Sequence, residues 1–558
     1  MNRAADPFVD TLRQRIAYDG TRTPVKTALF LLVCLAWLLP GLVGHDPWKT
    51  DEALALGAVA GMLRSGDWAI PLLAGEPFVE KAPLFFWVAA GFAKAFGGWL
   101  PQHDAARLAS GFFMAVTMAG VHVAAVALYG PRAGRIAVLL LIGCLGLLIR
   151  AHEMNTDLAG LAGVSVGMAG LALAPRRPWA AAGLLAAGLG MAFLGHGILP
   201  TLPLALLAVA LPAMGGAWRT RVFAAIAAGA LAVAAAVACA WLLAWHQRDP
   251  ALAAAWSAVA FATRWSEGIT RGAIADSLYV AKILPWYAWP ALPLAAWAAW
   301  RARRALAARA DIRLPLAASA LVLVALSLLA PGREASAMPL LVPLVLLGVA
   351  ELDSLPRGAA SALDWFGVTT FSLLALILWV GFVAAMTGSP AAVADFLARE
   401  VPGYAYPFRF IPFALAALLT CIWVVVVARS LRTTRRAVVN WSAGITMVWM
   451  LTMMLGLPLI DQARSYRGLA ARLAAELGDS PCTIGAGVGD AQRALLDYFI
   501  GLRVLPPGHP DAPSCRTLLA QANRGELPDF DAARWREAWR GSRPGDRTEA
   551  FILFRPAP

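Results

Sequence analysis

Two small groups of charged residues lie near the start of the chain, among aromatic and apolar neighbours. Asp51 and Glu52 are adjacent, and Glu80 precedes Lys81. A carboxylate can orient or deprotonate an acceptor group, and a lysine ammonium can offset negative charge on a phosphate. These four side chains are therefore the first candidates for a reactive site.

The same residues also have a purely structural interpretation. Thr50 is a suitable cap for a helix that begins at Asp51, and carboxylates in the first turn of a helix favour its dipole by roughly 0.3–1 kcal/mol each. Lys81 is long enough to extend its ammonium group to a membrane surface. Residue types alone leave both interpretations open.

The composition of the whole chain sets its class. Of the 558 residues, 60% are hydrophobic, and the mean hydropathy is +0.65. Repeated long apolar runs predict a polytopic helical membrane protein. The formal net charge of +13 does not indicate a nucleic-acid partner, because the basic residues form short clusters between apolar runs, as the positive-inside rule describes.

The basic clusters also predict a topology. The segment 1–26 is basic and precedes a long apolar run without a clear cleavage site, so we expect a cytoplasmic N-terminus and a retained first span. The run at 83–97 is short for a hydrocarbon core of about 30 Å, and counting it as a span would place every later basic cluster outside. It is therefore predicted to be an interfacial helix. Thirteen spans remain, at 27–44, 105–130, 135–150, 156–174, 178–195, 197–214, 222–245, 284–300, 314–331, 337–351, 364–387, 410–428 and 438–459.

This topology places further charged residues on the outer side. The segment 246–283 holds Arg264 and Arg271 on the side that basic residues normally avoid. Their position indicates an anionic partner such as a lipid phosphate, although contacts with lipid headgroups would also account for them. The loop 150–157 carries His152, Glu153 and Asp157, but their spacing is not that of a zinc motif. We expect no metal site and no required cofactor.

The first external loop, 45–104, contains a series of motifs in a recognisable order. They are D-E at 51–52, S-G-D-W at 65–68 and F-V-E-K-A-P-L-F-F-W at 78–87, and a later external turn reads P-G-R-E-A-S at 331–336. This order resembles that of polytopic lipid-donor glycosyltransferases, in particular the ArnT-like aminoarabinose transferases, which are related to the protein O-mannosyltransferases.

The chain departs from the usual motifs of that family at several positions. Ala53 and Leu54 stand where Arg-Tyr is common, and Ala82 stands where a first proline is usual. Ser336 replaces a tyrosine, and His196 replaces a lysine. These departures bear on the donor sugar more than on the reaction class.

The resemblance implies a fold and an activity. It implies the C-type glycosyltransferase fold, with about 13 transmembrane helices and interfacial helices in the first external loop. It also implies an inverting transfer, on the outer face of a bacterial inner membrane, from a polyprenyl-phosphate sugar to an envelope acceptor. The donor would be an undecaprenyl-phosphate sugar such as 4-amino-4-deoxy-L-arabinose, and the acceptor would be a group such as a lipid A phosphate.

Three alternatives remain open. One is a protein O-glycosyltransferase of the same fold, with a serine or threonine acceptor. Another is a transporter or flippase for lipid-linked sugars, for which internal repeats and broken helices at mid-membrane are expected; the sequence has no obvious repeat. A non-catalytic binding protein descended from this fold is the third.

The resemblance also implies roles for particular residues. Asp51 would be the central acid, supported by Glu52 and Asp157. Arg333 would bind the donor phosphate together with Lys81, since guanidinium contacts phosphate oxygens in pairs. The weaker phosphate candidates are Arg264 and Arg271, and the supporting residues are Glu80, Glu334 and His196. Two purely structural alternatives to these roles stay open. In one, Asp157 pairs only with Arg150 in its own loop; in the other, His196 is only a turn histidine.

The chain is predicted to divide into a transmembrane domain at 1–460 and a soluble periplasmic domain at 461–558. Within the second part, 483–489 and 550–554 have the pattern of strands, and 490–499 has that of a helix. Cys482 and Cys515 are the two cysteines outside apolar runs, and an oxidising compartment would permit a disulfide between them. The glycines at 485, 487 and 489 form only a weak nucleotide motif, which we discount because the strand–helix context is not expected.

Overall fold

The computed structural model describes residues 24–261, 271–330, 332–429, 434–478 and 482–557. Helices make up most of this part of the chain, and a small mixed sheet lies near its C-terminal end. The first helices are α1 Pro24–Leu38, α2 Asp51–Ser65, α3 Leu84–Phe96, α4 Gln102–Tyr129, α5 Pro131–Ile142, α6 Asp157–Leu173, α7 Pro178–His196, α8 Ile198–Ala210, α9 Arg221–Arg248 and α10 Pro250–Phe261. The later helices are α11 Arg271–Tyr287, α12 Ala291–Ala302, α13 Ala310–Leu329, α14 Met338–Ala350, α15 Arg357–Thr387, α16 Ala391–Glu400, α17 Phe410–Arg429, α18 Arg436–Leu451, α19 Leu457–Arg464, α20 Arg467–Leu477 and α21 Asp490–Ile500.

The helices agree with the apolar runs of the sequence. In the described part of the chain, seven helical segments are at least 18 residues long and apolar enough to cross a membrane. Each of the thirteen predicted spans falls on one or more helices. The number of crossings and their direction stay predictions. The run at 83–97 forms the single helix α3 of 13 residues, about 20 Å long at 1.5 Å per residue.

Two predicted spans contain a break between helical segments, and a third, 438–459, passes through a π-helical turn at Thr452–Gly456. The span at 135–150 is α-helical only to Ile142, where the Gly143 carbonyl accepts a hydrogen bond from Trp441 Nε1 at 2.8 Å, and a 3₁₀ turn follows at Leu145–Leu147. The span at 284–300 is divided between α11 and α12, because Pro290 has no N–H group to continue a helix. The two breaks meet where Leu145 N donates to Trp289 O at 3.2 Å. Irregular backbone from both segments therefore comes together at one place.

Helices α6 and α7 pack antiparallel with their backbones nearly in contact. A Cβ atom on Gly163 would lie 2.4 Å from Ala192 N, and one on Gly188 would lie 2.4 Å from Gly167 N. Small residues permit this close approach between helices in a membrane. As a result, the first residue of α6 meets the last residue of α7.

The strands of the C-terminal sheet are β3 Cys482–Ala486, β4 Arg503–Leu505, β5 Leu518–Asn523, β6 Trp535–Gly541 and β7 Glu549–Pro556. Their order in the sheet is β4-β3-β5-β7-β6. Strand β3 is parallel to β4 and β5, and β7 is antiparallel to β5 and β6. The predicted helix at 490–499 and strand at 550–554 are confirmed, whereas the strand predicted at 483–489 ends at Ala486.

The glycine-rich loop of this domain lies between strand β3 and helix α21, so the expectation that it lacks a strand–helix context is wrong. The protein itself fills the loop. A Cβ atom on Gly487 would lie 3.0 Å from Pro528 Cβ, and Gly489 N donates to Gln521 Oε1 at 3.1 Å. These contacts still argue against a nucleotide phosphate at this position.

The C-terminal domain also holds the first external loop. Lys49, which lies just before α2, has its Nζ atom 3.0 Å from Glu549 Oε1. Arg64, in the last turn of α2, pairs with Asp497 of α21. A two-stranded antiparallel ribbon, β1 Leu72–Leu73 with β2 Glu76–Pro77, follows α2. Helix α2 is thus fixed by the C-terminal domain near both of its ends. The structure also places a disulfide between Cys482 and Cys515, whose Cα atoms are 5.2 Å apart.

Candidate active site

The first turn of α2 directs its two carboxylates into different surroundings. Thr50 occupies the N-cap position of α2, as predicted, but its side chain makes no capping hydrogen bond. Glu52 Oε2 instead accepts a hydrogen bond from Trp48 N at 2.9 Å, which closes the turn before the helix. The helix start is therefore fixed by Glu52, and Asp51 remains available on the other side.

Glu52 belongs to a buried group that we call the closed cluster, formed by Glu52, Asp104 and Arg107. Arg107 is fully buried, and its guanidinium lies 2.6 Å from Glu52 Oε1 and 2.6 Å from Asp104 Oδ1. Burial alone would raise the pKa of Glu52, but the Arg107 guanidinium holds that pKa below its ordinary value. Every charge in this cluster has a close partner, so its role is to hold α2 against α4.

Asp51 belongs to a second group, the open cluster, which consists of Asp51, Arg150, Glu153, Arg333 and Glu334. Arg333 Nη2 donates to Asp51 Oδ1 at 2.8 Å, and Arg150 Nη1 lies 3.8 Å from Asp51 Oδ2. Arg150 also lies 3.2 Å from Glu153 and 3.4 Å from Glu334. The side chain of Arg333 is 48% exposed and that of Glu334 is 38% exposed. These ion pairs are therefore partly solvated and free to exchange partners.

Glu153 is the member of the open cluster whose protonation is most perturbed. Its pKa is raised to about 7, chiefly by burial; the negative charges of Glu52 and Asp51 also raise this pKa, and Arg150 lowers it. A carboxylic acid that titrates near neutral pH within a cluster of charged groups is typical of functional sites.

Asp157 and His196 meet at the junction of α6 and α7. Oδ1 of Asp157 contacts Nδ1 of His196. Asp157 also interacts electrostatically with Lys81 and Arg333, so it lies beside the open cluster. Its predicted alternative partner, Arg150, bonds to Glu153 and Glu334 instead, and the interpretation of Asp157 as a loop acid paired with Arg150 is wrong.

The structure brings together most of the predicted site residues but not all of them. Asp51, Arg333 and Glu334 are linked through direct contacts, and Lys81 lies near Asp157 without an ion-pair partner within 4 Å in the described part of the chain. Glu80 is exposed. Arg264 lies outside the described residues, and Arg271 begins α11 with a side chain that is not described.

Arg150 and Glu153 are the members of the site that the sequence interpretation did not select. Their spacing of three residues in a predicted external loop was visible, and such pairs usually form salt bridges. The link from Arg150 to Asp51 and Glu334 could not be read from spacing, because it joins segments far apart in the chain.

The loop between α5 and α6 offers no metal ligand set. Both ring nitrogens of His152 lie 2.7 Å from backbone carbonyls, those of Leu148 and Trp37, and the ring packs between Trp37 and Trp449. Among the residues that the structure describes, no group of three or more His, Cys, Asp or Glu side chains could hold a metal ion.

One curated protein and two crystal structures are similar to this chain. No family model matches it. The undecaprenyl phosphate-alpha-4-amino-4-deoxy-L-arabinose arabinosyl transferase 1 of Pseudomonas fluorescens (strain Pf0-1) is 30% identical over 288 residues. That alignment spans 50% of this chain and 48% of the relative, so the chain spans about half the length of the curated relative it matches.

Crystal structures of ArnT from Cupriavidus metallidurans match over nearly the whole chain. The structure bound to undecaprenyl phosphate has a TM-score of 0.66 and covers 94% of this chain and 97% of that one. The apo structure has a TM-score of 0.64 and covers 96% and 98%. Both are 18% identical to this chain. The chain has the ArnT fold.

The ArnT fold confirms the fold predicted from the apolar runs and from the motifs of the first loop. The chain is a helical membrane protein with a small C-terminal sheet domain, as the resemblance implied. The charged residues of the open cluster come from three separate segments, around 51, 150–153 and 333–334, which the ArnT fold brings together.

Proposed function

We propose that the chain is a glycosyltransferase that moves a sugar from a polyprenyl-phosphate donor to an acceptor on the outer side of a bacterial inner membrane. The observation that carries this proposal is the open cluster. In it the partly exposed Arg333 bonds to Asp51, while the adjacent Glu52 is fully paired inside the closed cluster. The ArnT fold and the partial match to an arabinosyl transferase support the reaction class.

We assign the donor phosphate to Arg333 and Lys81. Arg333 is half-exposed and bonded only to Asp51, and Lys81 is half-buried without an ion-pair partner in the described chain. A phosphate entering beside them would compete with Asp51 for the Arg333 guanidinium, because charge-assisted bonds to phosphate oxygens are strong. Donor binding would thereby release Asp51. The matched relative's name and the ligand of one matched structure support an undecaprenyl-phosphate donor.

The released carboxylate would then act on the acceptor. An acceptor oxygen attacks the anomeric carbon from the face opposite the phosphate, the bond from that carbon to the phosphate oxygen breaks, and polyprenyl phosphate leaves with inverted configuration at the sugar. Asp51 would orient or deprotonate an acceptor hydroxyl. With a lipid A phosphate as acceptor, the attacking oxygen is already anionic, and Asp51 would position the sugar. Asp157 would support either role through its contact with His196.

We further propose that the sugar is of the 4-amino-4-deoxy-L-arabinose type and that the acceptor is a lipid A phosphate. The name of the matched relative supports this sugar. Because arginine and lysine side chains offset the charge of the leaving phosphate, the reaction requires no metal ion or cofactor. Unchanged transfer in membranes treated with a chelator is the expected result, and complete loss that added metal restores would contradict it.

The proposed orientation has a cytoplasmic N-terminus and a periplasmic C-terminal domain. The Cys482–Cys515 disulfide supports it, because such bonds persist in oxidising compartments. A reporter enzyme that is active only in the periplasm, fused after residue 557, is expected to be active. A reporter fused before α1 is expected to be inactive. The reverse pattern would overturn this topology.

The test of function is the mass spectrum of lipid A from cells that lack the gene and carry the wild type, Asp51→Asn or Asp395→Asn. Asp395 is an exposed acid on α16 and serves as the matched control. A phosphate-linked amino sugar is expected with the wild type and Asp395→Asn only. An unchanged spectrum in all strains, with the protein present at normal levels, would overturn the assignment of lipid A as the acceptor. The glycans on exported proteins would then test the O-glycosyltransferase alternative.

A further inference from the structure

Tyr287, the last residue of α11, is buried beside the open cluster with a hydroxyl group that has no hydrogen-bond partner. The side chain is 1% exposed, and its hydroxyl bonds to nothing in the described part of the chain. A buried hydroxyl without a partner is costly, since it has lost its bonds to water. Such groups in folded proteins call for an explanation.

The ring of Tyr287 is held firmly in place. It lies flat against Gly146, where a Cβ atom would come within 2.2 Å of the ring. The nearby bond from Leu145 N to Trp289 O ties the two backbone breaks together at this point. Glycine at 146 is required for this close approach, so the position of the phenol is set by the fold rather than by a partner for its hydroxyl.

The surroundings of the phenol are charged. It interacts electrostatically with Arg150, Asp157 and Glu334. Two of these groups are carboxylates, which accept hydrogen bonds readily, yet neither bonds to the phenol. Asn155, in the same loop as Gly146, is likewise 1% exposed with an amide nitrogen that lacks a partner.

We propose that the Tyr287 hydroxyl is a substrate contact that donates a hydrogen bond to an oxygen of the glycosyl phosphate donor. The inference rests on the proposed function. Arg150, a charged neighbour of the phenol, is itself 30% exposed and shares its guanidinium among several carboxylates. When the donor phosphate draws Arg150 and Arg333 toward it, the phenol beside them is an uncommitted hydrogen-bond donor. The oxygen it meets belongs either to the phosphate or to the sugar.

The substitution Tyr287→Phe isolates this contact. It keeps the ring on Gly146 and removes a hydroxyl that bonds to nothing in the free protein, so the unfolding temperature is expected to be unchanged or slightly raised. The kcat/KM for the donor is expected to fall roughly ten- to hundredfold, the usual effect of losing a hydrogen bond to a charged or strongly polar group. If the tyrosine were only structural, its substitution would not lower kcat/KM while leaving the unfolding temperature unchanged or raised.

Tyr129→Phe is the matched control. The Tyr129 hydroxyl donates to the backbone oxygen of Asp311 at 2.9 Å. That substitution is expected to lower the unfolding temperature and to leave the kcat/KM of the folded protein unchanged, which is the opposite of the result for Tyr287→Phe.

Binding of undecaprenyl phosphate, which carries no sugar, to wild type and Tyr287→Phe distinguishes the two sources of the oxygen. Weaker binding by the variant assigns the contact to the phosphate. Equal binding with reduced kcat/KM for the sugar donor assigns it to the sugar, and both results support the proposal. Equal binding with equal kcat/KM would overturn it. If the wild type neither binds undecaprenyl phosphate nor transfers sugar, the proposed function itself fails.

Discussion

Asp51 and Glu52 are adjacent, but the clusters they belong to differ in every electrostatic respect. In the closed cluster, a fully buried guanidinium contacts two carboxylates at 2.6 Å each. In the open cluster, Arg150 is shared among three carboxylates at 3.2–3.8 Å, and Arg333 is nearly half-exposed. Tight, dry pairing holds a helix in position, whereas loose, partly solvated pairing leaves charges able to exchange partners with a substrate.

The comparison shows that an acid pair in a motif need not act as a pair. Neighbouring residues on a helix point about 100° apart, so the environment of each is set separately. Here Glu52 is buried against Arg107, whereas Asp51 contacts Arg150 and Arg333 in the segments 150–153 and 333–334. We therefore expect changes in the closed cluster to act on stability and changes in the open cluster to act on activity.

The largest effect is expected from Arg107→Met. This change leaves Glu52 and Asp104 buried without their counter-charge, and breaking a buried ion pair in this way costs about 3–5 kcal/mol. The variant is expected to accumulate poorly and to unfold at a much lower temperature in detergent, as measured by a thermal melt. Normal accumulation and an unchanged melt would show that the closed cluster does not hold α2 in place.

A smaller effect, on activity alone, is expected from Arg333→Gln. The salt bridge from Arg333 to Asp51 is partly exposed, and such pairs contribute at most about 1 kcal/mol to stability. Loss of a charged contact to the donor phosphate is expected to raise the KM for the donor roughly tenfold to hundredfold. Steady-state kinetics in membranes, with Arg333→Lys retaining part of the activity, provides the check. A melting temperature that falls sharply with unchanged KM would place Arg333 in the scaffold instead.

The smallest effect is expected from Glu153→Gln and depends on pH. The folded protein raises the pKa of Glu153 from an ordinary value of 4.5 to about 7. Between these values the folded state holds more protons than the unfolded state, so the stability of the wild type falls as pH rises through this window. The glutamine variant does not titrate. Its melting temperature should match that of the wild type below pH 4.5 and exceed it at pH 8.

If the difference in melting temperature between Glu153→Gln and the wild type does not vary over this pH range, Glu153 is ionised in the folded protein at all these pH values, and the raised pKa assigned to Glu153 is wrong.

Local patterns predicted the class of fold well, because hydropathy and helix periodicity are properties of short segments. The thirteen apolar runs all fall on helices, and the strand and helix patterns near 483–499 were correct except for the end of the strand. The break at Gly143 was missed because it depends on the indole of Trp441, far along the chain. The break at Pro290 was missed although its cause, a proline without an N–H group, is visible in the sequence.

The site could be predicted only in part, for a related reason. The resemblance of the loop motifs to those of lipid-donor glycosyltransferases pointed to Asp51, Asp157 and Arg333. Which residues touch was not visible: Asp157 meets His196 because glycines let α6 and α7 approach closely. The separation of Glu52 from Asp51 likewise depends on Arg107, 55 residues from Glu52 in the sequence.

The most direct test of the account compares Asp51→Asn with Glu52→Gln in the same membranes, with transfer rate and melting temperature measured for both. Asp51→Asn is expected to lower the rate by about 10²–10⁴-fold, the usual contribution of a positioned carboxylate, with an unchanged melt. Glu52→Gln is expected to lower the melting temperature, because Arg107 then lacks a full counter-charge, and to spare most of the activity of the folded protein. An active Asp51→Asn, or an inactive Glu52→Gln that melts like the wild type, would contradict the division between the two clusters.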